Sequence, residues 1–92
     1  MTELTGTISG KVTDAATGQA IPNCPVSVRA GVTAMAIETD QRGAYRIAQL
    51  PAASYTVDAA TWGYLPRSTA GVAVEIGRTV LCDLQLDPKP HG

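Results

Sequence analysis

The sequence predicts an all-β domain, a sandwich of seven short strands. Three observations carry this. Apolar and polar residues alternate at a period of two along most of the chain. Turn residues return at intervals of about ten, the spacing of short sandwich strands. No segment holds a helical period long enough to compete, and no internal repeat is visible.

The elements follow in order. Leu4, Gly6, Ile8, Gly10 and Val12 share one face, and Thr5, Thr7, Ser9, Lys11 and Thr13 the other: a strand with one wet face. Asp14-Ala15-Ala16-Thr17-Gly18 is a turn. Ile21-Pro22-Asn23 leads into a second strand, with Cys24, Val26 and Val28 inward and Pro25 at its beginning or edge, where a missing donor does no harm. Gly31 breaks the run. Met35 and Ile37 are the inward residues of a third strand.

The stretch Thr39 to Val57 organises the rest. Asp40 can hydrogen-bond backbone two residues on, and Gly43 supplies a positive φ. Tyr45 and Ile47 alternate with Ala44, Arg46 and Ala48 as strand four. Leu50-Pro51 ends it. Tyr55 and Val57 open strand five, and the Tyr55 hydroxyl is placed to bond the backbone of the corner before it. Strand five ends near Ala60, and Thr61 to Pro66 is a loop. Strand six carries Val72, Val74 and Ile76. Gly77-Arg78 suits a two-residue II′ hairpin. Strand seven carries Val80, Cys82, Leu84 and Leu86. Residues 1–87 form one domain. Residues 88–92, polar and Pro-rich, read as an extended tail or linker.

Composition excludes several classes. The chain has 92 residues, enough for one modest core. Apolar residues make up 45 % but aromatics only 4 %, with no Phe, so Val, Ile, Leu and Ala must build that core. Net charge is −1 and the seven basic residues are scattered, which suits no nucleic acid. No run of about 18 apolar residues exists to insert in a membrane. The N-terminus lacks the regions of a signal peptide. Two settings stay open: cytoplasmic, if Met1 is the native start, or extracellular or cell-surface, if the chain is cut from a longer one.

Four segments resemble a known family. Gly10-Lys11-Val12-Thr13-Asp14-Ala15-Ala16-Thr17-Gly18-Gln19-Ala20-Ile21-Pro22-Asn23-Cys24-Pro25-Val26-Ser27-Val28 is similar to the opening of carboxypeptidase regulatory-like domains, G-x-V-x-D-x-x-T-G-x-P-I-P-x-A-x-V-x-V. Thr39-Asp40-Gln41-Arg42-Gly43-Ala44-Tyr45 resembles their T-D-x-x-G-x-Y. Leu50-Pro51-Ala52-Ala53-Ser54-Tyr55-Thr56-Val57 resembles L-P-A-G-x-Y-x-V, and Gly63-Tyr64 the G-Y that follows. Ala20, Cys24 and Ala53 depart from the usual Pro, Ala and Gly. The resemblance implies a transthyretin-like, seven-stranded Greek-key sandwich. Such modules are usually non-catalytic; they sit beside enzymes, in surface proteins or as spacers, and some relatives bind carbohydrate. Fold does not fix function, so the residues must be weighed themselves.

Catalysis finds little support. The only histidine is His91, next to the last residue, whereas a nucleophile–histidine–acid site needs a held imidazole. Transthyretin-like hydrolases use inward histidines and a C-terminal Tyr-Arg-Gly-Ser, neither of which is present. Asp58 and Glu75 fall outward, as solvated charges. An intramolecular isopeptide, suggested by surface adhesins that share the L-P-A-G-x-Y pattern, needs a buried Lys and acid. Lys11 lies on the wet face, and Ala59 stands where those domains carry Glu. Cys24 and Cys82 both point inward. An inter-strand disulfide is one reading and two free buried thiols the other, favoured because both stand at core positions. Two cysteines without a histidine make a poor zinc site. Asp14 and Asp40 read as turn caps rather than calcium ligands. No cofactor and no metal are expected.

Trp62, Tyr64 and Arg67 are the surface constellation most suited to a ligand or partner. Loop aromatics stack on sugar rings or anchor proteins, or else cap the open end of a core. Leu81 falls outward between Thr79 and Asp83, which suggests a covered face or a partner there. Three functions follow: a structural or protein-interaction module accessory to a parent chain, a polysaccharide-binding module using Trp62, and a unit that self-assembles through an edge strand.

Overall fold

The long first strand, β1 (Thr5–Asp14), is the axis around which the other elements are arranged. The computed structural model describes residues 4–90. It contains β2 (Pro25–Ala30), β3 (Thr33–Glu38), β4 (Ala44–Pro51), β5 (Ala53–Ala59), β6 (Arg67–Val74), β7 (Thr79–Leu81) and β8 (Leu84–Leu86). One sheet has β4 on one side of β1 and the short strands β7 and β8 on the other. The second has the order β3-β2-β5-β6. The chain changes sheet after β1, β3, β4 and β6, the crossing pattern of a Greek-key sandwich.

Alternation sets what lies between the sheets. Ile8 and Val12 of β1, Val26 and Val28 of β2, Tyr45, Ile47 and Leu50 of β4, and Tyr55 and Val57 of β5 are all buried. Cys24 and Cys82 are buried free thiols, not a disulfide. Thr39, buried, supports this core from a loop. Its Oγ1 accepts from the Cys24 amide at 2.9 Å and donates to the Ile21 carbonyl at 2.7 Å. A buried polar side chain is tolerable only when paired in this way.

The turn logic of the central stretch holds at atomic level. Asp40 Oδ1 accepts from the amides of Arg42 (2.8 Å) and Ala44 (3.0 Å), while Gly43 sits at φ 74°. The Tyr55 hydroxyl donates to the Pro51 carbonyl at 2.6 Å, tying β5 to its own corner. Pro51 ends β4, an edge strand, where a missing donor costs no rung.

Five expectations are corrected. The seventh strand is two, β7 and β8, separated at Cys82–Asp83. There the Cys82 carbonyl turns inward to accept from the Tyr45 hydroxyl, and Asp83 Oδ1 accepts from the Lys11 amide at 2.9 Å in place of a backbone carbonyl. Leu4 lies exposed before β1 rather than inside it. Met35 and Ile37 pair with Val28 and Val26 and so share their face, yet they are 43 % and 40 % exposed. β3 is an edge, and the opposite sheet leaves this face open beneath it. Ile76 is exposed because β6 ends at Val74. Gly77 occupies the second central position of a turn, with φ 73° and an Arg78 amide donating to the Glu75 carbonyl at 3.2 Å. That is the type II position. The turn leads from one sheet to the other, not around a hairpin.

Candidate interaction surface

The polar groups singled out in the sequence are used in building the scaffold. Asp14 Oδ1 accepts from the amides of Ala16 (2.7 Å) and Thr17 (3.1 Å), and Oδ2 from the Tyr64 hydroxyl (2.7 Å). The Tyr64 hydroxyl, foremost, and these amides hold the Asp14 carboxyl below its ordinary value. The same bond raises the Tyr64 phenol. Asp58 pairs outward with Arg29 at 3.3 Å, and Glu75 with Arg78 at 3.4 Å. Lys11 stands on the exposed face of β1. Among the described residues no three His, Cys, Asp or Glu cluster as metal ligands. His91 lies outside the described residues.

The loop before β6 is shaped by Gly63, at φ 87°, and by the Tyr64 amide donating to the Thr61 carbonyl at 3.2 Å. Tyr64 packs against the core from its end. Trp62 does not: it is 94 % exposed. The two aromatics that the sequence groups together therefore divide, one toward the core and one toward solvent. The segment after β8 lies along this loop. The Leu65 amide donates to the Asp87 carbonyl at 2.8 Å, the Lys89 amide to the Gly63 carbonyl at 3.0 Å, and Pro88 pairs with Tyr64. Between them runs a cleft lined by Trp62, Gly63, Tyr64, Pro88, Lys89 and Pro90.

Arg67, the first residue of β6, is exposed but does not line that cleft. Leu81 is 72 % exposed on the outer face of the other sheet, beside Ser9 of β1. It borders a second groove with Lys11, Ile37, Arg46 and Asp83. The structure thus joins Trp62 to Tyr64 and leaves Arg67 and Leu81 apart from them. Sequence reasoning missed Pro88, Lys89 and Pro90 as a wall of the first cleft. The segment is held by backbone bonds, the Lys89 amide to the Gly63 carbonyl and the Leu65 amide to the Asp87 carbonyl, which side-chain patterns do not reveal.

Solved structures share this fold. A domain of the Bacillus anthracis TIE protein matches with TM-score 0.79 and 16 % identity, over 92 % of this chain and 17 % of that one. A Bacteroides uniformis protein described as a candidate carbohydrate binder matches with TM-score 0.72 and 20 % identity, over 94 % and 47 %. GBS52, the minor pilin of Streptococcus agalactiae, matches with TM-score 0.72 and 20 % identity, over 100 % and 48 %. This chain spans less than half the length of each. No curated protein matches it. The model of the carboxypeptidase regulatory-like domain matches residues 7–87, most of the chain; the chain belongs to that family.

Proposed function

We propose that this domain is a non-catalytic structural module, a spacer or accessory unit of a larger protein or assembly. One observation carries the reading: the two ends of the described chain lie at opposite poles. β8 runs parallel to β1, with Leu86 beside Asp14. Thr5 therefore lies the length of β1 away from Leu86, about 30 Å at 3.3 Å per residue. The molecule is elongated, 52 × 24 × 16 Å. The pairing of Pro88 and Lys89 with the 63–65 loop fixes the direction in which the chain leaves, so neighbours would be held in line. Residues 88–92 act in this reading as a short linker anchored at its start. Similarity to the minor pilin supports an extracellular or cell-surface setting.

Two copies joined end to end test the reading by small-angle scattering. A particle near twice the 52 Å length of one copy is expected. A folded-back particle of similar width and length would overturn it.

A second reading is favoured by Trp62. A fully exposed indole beside a cleft of about 570 Å³ offers a stacking face for a sugar ring, with Tyr64 and the prolines as walls. Similarity to the Bacteroides uniformis protein supports it. Titration with a panel of soluble polysaccharides, following Trp62 fluorescence, decides it. A saturable shift, lost as gel retardation in Trp62→Ala, makes the domain a carbohydrate-binding module. A flat response leaves the scaffold reading.

A further inference from the structure

Resting on the spacer reading, we propose that the module bears tension along its chain, through β1 sheared against β7 and β8. A load entering before Thr5 pulls β1 toward one pole. A load leaving after Leu86 pulls β8 toward the other. Because β7 and β8 run parallel to β1, these two pulls are opposed and lie along the strand axes. Rungs loaded in this way must yield together. A hairpin pulled at its open ends yields one rung at a time.

The rungs run nearly the length of β1. Thr7, Ile8 and Ser9 pair with Thr79, Val80 and Leu81, and Val12, Thr13 and Asp14 pair with Leu84, Gln85 and Leu86. The Thr7 amide donates to the Arg78 carbonyl at 2.9 Å, and the Ala15 amide to the Leu86 carbonyl at 2.9 Å, beyond the two ends. The weak place is the break between β7 and β8. Three groups close it. The Cys82 amide donates to the Ser9 carbonyl at 2.7 Å. The Tyr45 hydroxyl reaches over Gly10 from β4 to the Cys82 carbonyl. Asp83 Oδ1 takes the Lys11 amide at 2.9 Å. The Asp83 carboxylate is thus a rung made by a side chain, and it makes the two short strands act as one. The other sheet, β3-β2-β5-β6, shares no rung with β1, β7 or β8, and the load meets it through the 63–65 loop, which holds Asp87 and Lys89.

Single-molecule force spectroscopy with handles at the two termini tests this, with urea unfolding of the same variants as the equilibrium control. Asp83→Ala, at an exposed position, should fold and should lower the mean rupture force. Asp83→Asn keeps an Oδ1 acceptor and should restore it. Val28→Ala, buried in β2, should lose at least as much urea stability while keeping more of the rupture force. Asp83→Ala rupturing at the wild-type force would overturn the proposal. So would Val28→Ala losing as much force as Asp83→Ala. A folded-back tandem in the scattering experiment would defeat the spacer reading but would leave these forces as they are, so the two failures are told apart.

Discussion

The Tyr64 hydroxyl donates to Asp14 Oδ2 at 2.7 Å and joins the loop before β6 to the end of β1 across fifty residues of chain. Asp14 simultaneously caps its own turn through Oδ1. One carboxylate therefore holds the turn after β1, the aromatic that packs on the core end, and through it the segment after β8. Removing the hydroxyl should loosen the last two and leave the Oδ1 bonds of the turn in place. Tyr64→Phe is expected to lower the melting temperature and to speed hydrogen exchange at the Leu65 and Lys89 amides, whose acceptors lie on the same pair of segments. Exchange followed by mass spectrometry or NMR checks this. Unchanged exchange at both amides would show that the tie does not hold the segment.

The same carboxylate makes stability depend on pH. Asp14 and Asp40 both have folded pKa values below the ordinary 3.8, the first chiefly through Tyr64 and the second chiefly through the Ala44 and Arg42 amides. A depressed folded value means that the unfolded chain binds the proton more readily. Their contribution is thus complete above the ordinary carboxyl range and is lost as pH falls through the folded values. Tyr64 is raised by its bond to Asp14, so its contribution is present below the ordinary tyrosine value of 10.0 and is lost as pH rises past it. Melting temperature followed from neutral pH into acid should fall, and the Asp14→Asn, Asp40→Asn double variant should start lower and fall less steeply. A parallel curve would exclude these two groups as the source.

Of the glycines, Gly10 stands closest to a neighbouring strand. A Cβ built there would fall on the Cys82 backbone and touch the Tyr45 hydroxyl. The neighbour is main chain, which cannot swing aside as a side-chain tip would. Gly10→Ala should therefore move β7 and β8 off β1 and break the Tyr45 bond to Cys82. Overpacking a tight site costs roughly 1–3 kcal/mol, and the upper end is expected here. Urea unfolding measures it. By contrast Gly18→Ala has open space and meets only the strain of its positive φ, so it should cost less, near the 1 kcal/mol or so of an unfavourable backbone.

Much of this was legible because it is local. Asp40 and Gly43 announce their turn by residue type, and the Tyr55 bond to Pro51 spans only four residues. Alternation found the inward faces of β1, β2, β4 and β5, since a half-buried strand must alternate. What failed to show was set by distant partners. Alternation correctly turns Met35 and Ile37 to the inner face, but whether a second sheet covers them depends on its width. The break at Cys82 comes from Tyr45, thirty-seven residues away. At the surface, the sequence singled out Trp62 because the aromatic is rare. It could not see the far wall of the cleft, which is made by backbone pairing to the chain end.

The open flank of β3 gives a last prediction. Edges are normally blunted by proline, bulges or charge. β4 has Pro51 and a positive φ at Gln49, and β6 has a positive φ at Gly71 and a register shift against β5. On the opposite flank, β7 and β8 are broken at Cys82–Asp83. β3 has none of these: six residues without Pro or Gly, paired to β2 with no shift, and charged only at Glu38. Its inner face adds the uncovered Met35 and Ile37. A second copy of the chain can pair there antiparallel about Ala36, which sets Glu38 opposite an alanine rather than a like charge. The chain should therefore associate as concentration rises, and sedimentation velocity will read this directly. Met35→Lys, on β3 but away from the groove that Ile37 shares with Leu81, should suppress the association, whereas Leu81→Asp, on the other sheet, should leave it unchanged. If the dependence on residue is reversed, the contact belongs to the Leu81 face and β3 is a tolerated bare edge.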